Sequence, residues 1–137
     1  MMRKLGLLLL LCATGCASVK MTSAFNGVKV DDGYTPLATV SIENTGWFLF
    51  NCIPLASGNP QHPNETGCLF FQNTVTLDNN MKMLDTTMTR EGATCFEHLT
   101  SHQKDDFYYF FILYRRTCQS SAVILRAEDN PLPEKKK

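Results

Sequence analysis

The first fifteen residues decide which part of this chain is left to fold. Met1-Met2-Arg3-Lys4 gives a short positive start, Leu5-Gly6-Leu7-Leu8-Leu9-Leu10-Leu11-Cys12 a compact apolar run, and Ala13-Thr14-Gly15 a stretch of small residues. That layout is an export signal. The apolar run falls well short of the roughly 20 residues a helix needs to cross a bilayer core, so it reads as a secretion signal rather than a permanent span.

The junction Ala13-Thr14-Gly15-Cys16 resembles the lipobox of bacterial lipoproteins, with Ala13 where Leu is commoner. The resemblance implies cleavage between Gly15 and Cys16, a diacylglyceryl group on the Cys16 sulfur and acylation of the new amino group. Each buried methylene contributes about 0.8 kcal/mol, so two or three chains hold where one binds marginally. The membrane is therefore the expected partner. Ala17 and Ser18 follow, with no Asp directly after Cys16, and by the enteric sorting rule this points to the outer membrane. The rival reading is a plain secreted chain, kept open by Asn64-Glu65-Thr66, which fits a glycosylation sequon.

Removing residues 1–15 from 137 leaves 122, enough for one domain. The signal takes Arg3 and Lys4 and no acid, leaving 11 basic against 13 acidic residues, a charge of −2. No basic face is implied, which argues against a nucleic-acid partner. Four cysteines remain beyond Cys16, namely Cys52, Cys68, Cys95 and Cys118. In an exported setting they can form two disulfides, and Cys52–Cys68 with Cys95–Cys118 closes the shorter loops. Free buried thiols are the equal alternative.

Along the chain, residues 16–24 are small and polar and suit a lipidated tether, 25–127 the globular domain, and 128–137 a disordered polar tail. Val28 to Val30 leads into Asp31-Asp32-Gly33, a hairpin turn signal. Thr35 to Glu43 alternates as a half-buried strand, Asn44-Thr45-Gly46 punctuates it, and Trp47 to Phe50 begins another apolar run. Residues 56–67 read as an exposed loop. Leu77, Met81, Leu84 and Met88 share one helical face, with Thr76 to cap the start and Gly92 to stop the helix. Ala93 to Thr100 reads as a strand, 101–106 as a polar turn, Phe107 to Tyr114 as a central strand, and Ser121 to Arg126 as the last strand. The expected architecture is α+β: one principal helix, about 77–91, packed on a small antiparallel sheet in a single domain. The helix exit through Gly92-Ala93 also resembles that of small envelope lipoproteins, with Met88 in place of Ala, and it transfers no functional residues.

Chemistry is thinly signalled. Cys95, His98 and His102 are spaced three and four apart and on a helix would share a face suited to zinc or copper, with His62 or Cys118 as a fourth ligand. On a strand, 95 and 98 face opposite ways. No nucleophile elbow, phosphate loop or metalloprotease motif occurs, and no cofactor is implied. The expected function is a non-enzymatic, membrane-anchored envelope lipoprotein that binds an envelope protein or supports structure. The alternative is a metal-binding or redox-sensing lipoprotein using Cys95, His98 and His102.

Overall fold

The computed structural model describes residues 16–23, 29–108 and 112–128. The expected signal, and the tail from residue 129 onward, lie outside the described residues. Among the described residues, six strands and one helix run in the order β1 (Ala17–Thr22), β2 (Tyr34–Leu49), β3 (Ile53–Gly58), β4 (Cys68–Phe70), α1 (Leu77–Glu91), β5 (Cys95–Tyr108) and β6 (Leu113–Ala127). All strands belong to one antiparallel sheet of order β4-β3-β2-β6-β5, with β1 also paired to β2. One edge of β2 is filled by β6 along its length, and the other is shared end to end by β1, opposite residues 39–44, and β3, opposite 46–49.

This is a mostly-β fold, and the expected α+β layering about a principal helix is corrected. The strands are far longer than the apolar runs that announced them. The polar stretch 101–106, expected as a turn, is the middle of β5, and Thr117 to Ser120 continues β6. A sheet with one face toward solvent needs apolar residues on the other face only, so polar stretches belong in its strands as readily as apolar ones.

Three boundaries moved for identifiable reasons. Asn44-Thr45-Gly46 lies inside β2. Asn44 is fully buried and donates its side-chain amide to the carbonyl of Thr74. Gly46 is required by close packing, since a Cβ there would sit 2.8 Å from Val75 Cγ2 and 3.0 Å from Ser57 Cβ. The run Phe107 to Tyr114 is no central strand. Tyr108 ends β5 and pairs with Leu113 at the start of β6, while residues 109–111 lie outside the described residues. Residues 17–22, expected as a tether, form β1, with Ala17 and Val19 in the core.

The helix has the expected bounds and both expected caps. Thr76, in extended backbone, accepts from the Asn79 amide, and Gly92 stops the helix at φ 67°. The Ala93 amide returns to the Met88 carbonyl at 2.9 Å. Its buried stripe is Asn80, Met83, Leu84 and Thr87, whereas Leu77 is 47% exposed. Met83 and Leu84 pack on Val40, Ile42, Ala122 and Ile124 to make the main core, and Phe48, Val75 and Cys118 form a second cluster. Asn80 Nδ2 donates to the Cys118 carbonyl and to Ser120 Oγ, both at 3.0 Å, tying helix to sheet. Thr86, Thr87 and Thr89 bond the carbonyls four residues back, which satisfies hydroxyls on an otherwise weak helix former.

Candidate functional site

Because α1 covers one face of the sheet, the period of two aims alternate residues of β2, β6 and β5 at the other face. The cross-strand register stacks them in rungs: Glu43, Gln119 and His102; Thr45, Thr117 and Lys104; Trp47, Arg115 and Asp106. These residues, Trp47 aside, line a cleft of about 230 Å³. Ser41, Thr100 and Ser121 extend the polar floor beyond His102 into an adjoining cleft of about 190 Å³.

The groups are held by one another. Gln119 Nε2 donates to Glu43 Oε2 at 2.9 Å, and the hydroxyls of Thr45 and Thr117 lie 3.3 Å apart. Asp106 takes Lys104 Nζ at 2.7 Å and Arg115 Nη2 at 3.2 Å, and these bonds hold its carboxyl below the usual range. The Arg115 guanidinium also sits 5.4 Å over the Tyr108 ring, which meets Trp47 edge-on at 5.1 Å. Arg115 Nε is buried with no hydrogen-bond partner among the described residues. The floor is thus pre-oriented and bears both signs of charge.

On the helix side of the same hairpin, Arg116 Nε meets Asp105 Oδ1 at 3.0 Å and its Nη2 donates to Asn51 Oδ1 at 2.9 Å. Burial works against ionising Asp105, but bonds from Arg116 and Asn51, helped by the charge of Arg116 and a bond from Gln103, outweigh it and lower its pKa.

The residues singled out from the sequence are scattered. Cys16 is exposed at the start of β1, its carbonyl accepting from the Thr45 amide at 2.8 Å. Cys52, Cys68, Cys95 and Cys118 are all free thiols. The expected pairings fail on distance. Cys68 is opposite Gly58, six residues along β3 from Cys52, and Cys95 is opposite Leu125, seven along β6 from Cys118. At about 3.3 Å per residue these gaps are near 20 Å, against a limit of about 7 Å between bridged α-carbons. The suggested metal set separates in the same way. Cys95 is opposite Leu125, His102 is opposite Gln119, and His98 sits in a bulge at φ 53°, 3.4 Å from the Lys29 carbonyl. No three His, Cys, Asp or Glu side chains among the described residues group to hold a metal ion. His62 is in the 59–67 loop beside Glu65.

Of the cleft residues, only His102 was singled out from the sequence. The signal for the rest was the alternation through 100–106 and 115–121, obscured because both alternating sets are polar. The sequon position is structurally committed: Asn64 Nδ2 donates to the Val19 carbonyl at 3.0 Å, a bond that a glycan on that nitrogen would disrupt. No family model, curated protein or solved structure matches the chain.

Proposed function

We propose that this protein is a lipid-anchored envelope module that works by binding rather than catalysis, held to the membrane, by analogy the outer one, through Cys16 and presenting the polar cleft to an envelope protein. The observation that carries the anchor reading is the abrupt join between Cys16 and the fold. The expected cleavage point precedes an exposed cysteine, and the very next residue, Ala17, is buried. Cleavage there removes the signal without cutting into the sheet. No helix among the described residues is long and apolar enough to cross a membrane.

The binding reading is supported by the cleft. Its charges are engaged in ion pairs and a cation–π contact rather than set as a nucleophile beside a base. The Arg115 guanidinium, partly exposed beside Asp106 and Lys104, favours a partner offering carbonyl or carboxylate oxygens. Intact-mass analysis of natively expressed protein tests the anchor: a mass matching cleavage before Cys16 plus acyl chains is expected, and an unacylated product partitioning into the aqueous phase rejects it. Cross-linking in intact cells tests the partner, with Arg115→Ala expected to lower the yield of a reproducible adduct. No reproducible adduct, or one indifferent to Arg115, rejects the cleft.

A further inference from the structure

With β1 beginning at Ala17, an acyl group on Cys16 has no slack. The Cys16 carbonyl is bonded to Thr45, and the peptide joining Cys16 to Ala17 lies so close to Gly58 that a Cβ there would be 2.4 Å from the Ala17 nitrogen. Whatever surface holds the acyl chains must touch this edge of the sheet.

Exposed apolar side chains with no role in the core lie beside that edge, at Phe70 and Phe71, and at the β2–β3 hairpin further along β2, where the Phe50 amide donates to the Ile112 carbonyl. Phe50 is 59% exposed, Ile53 48%, Phe70 53% and Phe71 75%. Cys68 of β4 is opposite Gly58, so Phe70 and Phe71 follow within about 10 Å of the Cys16 level at some 3.3 Å per residue. Ile53 is opposite Leu49, four residues beyond Thr45, and Phe50 is the next residue of that turn. A second observation sets the patch apart. Phe50 and Phe71 have φ of 51° and 56°, a left-handed backbone that bulky residues rarely adopt, yet both rings face outward. At Phe50 the two-residue β2–β3 turn sets this conformation, with Asn51 at φ 57° and the Cys52 amide on the Leu49 carbonyl, whereas Phe71 holds it with no burial of its ring in return.

We infer that Phe50, Ile53, Phe70 and Phe71 form an interfacial patch that seats in the headgroup region of the bilayer bearing the Cys16 acyl chains. The inference rests on the anchor reading, because it is the tetherless acylated cysteine that presses this edge on lipid. Phe and Ile carry no polar group, and apolar side chains of this kind bury about 5–10 Å into the headgroup–acyl boundary.

The test uses the full chain, processed in its host and carrying Phe71→Trp, reconstituted in phosphatidylethanolamine–phosphatidylglycerol vesicles with brominated acyl chains. Trp47 is buried and is subtracted as a constant background from the wild type. Emission from position 71 is expected to shift blue and to be quenched at least twofold. Tyr34→Trp, at the far end of β2, is the unquenched reference. Position 71 no more quenched than position 34 overturns the inference. So does shielding of position 71 from iodide before any lipid is present, which would place a second copy or a protein partner there. Intact mass on the same samples separates the two readings. An acylated Cys16 with no quenching keeps the anchor and removes the patch. An unacylated Cys16 removes the anchor, and the same vesicles added to that protein then decide the patch by the same quenching.

Discussion

The side chain of Asn64 bonds both backbone groups of Val19, accepting from its amide at 2.9 Å and donating to its carbonyl at 3.0 Å. With the Asn64 amide also on the Ala17 carbonyl at 2.8 Å, the loop acts as a further strand along the outer edge of β1. Asn64 stands at φ 69°, a region Asn tolerates better than other side chains except Gly. Asn64→Gly keeps the backbone and loses two partly buried bonds, at about 0.5–1.5 kcal/mol each. Asn64→Ala loses the same bonds and adds about 1–2 kcal/mol of left-handed strain. Urea unfolding should therefore rank wild type above Asn64→Gly and that above Asn64→Ala. Equal loss in the two variants would show that backbone conformation does not matter at this position.

Of Gly33, Gly46, Gly58 and Gly67, Gly58 makes the tightest approach to another segment. A Cβ there meets the Ala17 nitrogen and the Cys16 carbonyl carbon, both at 2.4 Å, and these are backbone atoms that cannot rotate aside. Gly58→Ala must push β1 off its edge, at about 1–3 kcal/mol or more by analogy with overpacked cores. Gly67→Ala, with nothing within 4 Å, is the matched control and should be close to neutral. Amide exchange of β1 reads the difference directly: Ser18 and Lys20, which alternate with the outward-facing Val19 and so face β2, should lose protection in the first variant and keep it in the second. Unchanged protection in Gly58→Ala would mean β1 is not seated as described.

What the sequence revealed and concealed follows from which faces are covered. The helix was legible because Thr76 and Gly92 are local capping signals and Leu84 lies at the centre of its apolar stripe. Its buried face was misjudged because Asn80 and Thr87, polar by type, are satisfied by Ser120 and by the Met83 carbonyl. The sheet was legible only where apolar and polar residues alternate, as at Val40 and Ile42. Along β5, Ser101 and Gln103 face the helix side while His102 and Lys104 face the cleft, and no hydrophobic period survives. Gly46 looked like a turn because a sequence does not show that Val75 and Ser57 approach it across the fold. The cleft depends on the registers Glu43–Gln119 and Lys104–Thr117, which are long-range pairings that no local pattern encodes.

Asp105 gives stability a definite pH dependence. Its carboxyl titrates below 3.8 in the folded protein, burial being outweighed by the bonds from Arg116 and Asn51. A folded-state pKa below the unfolded one means that the carboxylate favours folding above about 4 and stops doing so as pH falls through the lower folded value. Asp105→Asn should lower stability by about 1 kcal/mol at pH 7, the scale of a well-formed but partly exposed pair. The gap between variant and wild type should close below pH 4. Urea midpoints across pH 2.5–7 check this, and a gap of constant size would exclude the ion pair as its source.

Cys118 should be the least reactive of the four thiols in the globular domain. It is buried in the second apolar cluster, and burial pushes its pKa above 9.0 although a bond from Ser101 works the other way. The thiolate is the reactive form, so both access and ionisation are suppressed there. Cys52, exposed in the β2–β3 turn, is open to reagent. A disulfide reagent at pH 8 applied to the reduced native protein should modify Cys52 at once and Cys118 only on unfolding, as peptide mapping would show. Asn80→Ala adds a discriminating step. It removes the two Asn80 bonds to β6, one of them to the Cys118 carbonyl itself, leaves Arg126 on the Glu91 and Gly92 carbonyls, and opens a cavity beside the sheet. A cost of about 2–3 kcal/mol is expected from the lost bonds and the void together. If local opening exposes Cys118, its labelling should accelerate by the factor that this loss implies, about 30–140-fold at 1.4 kcal/mol per decade. Rapid labelling of Cys118 in the native wild type would contradict its place in the core.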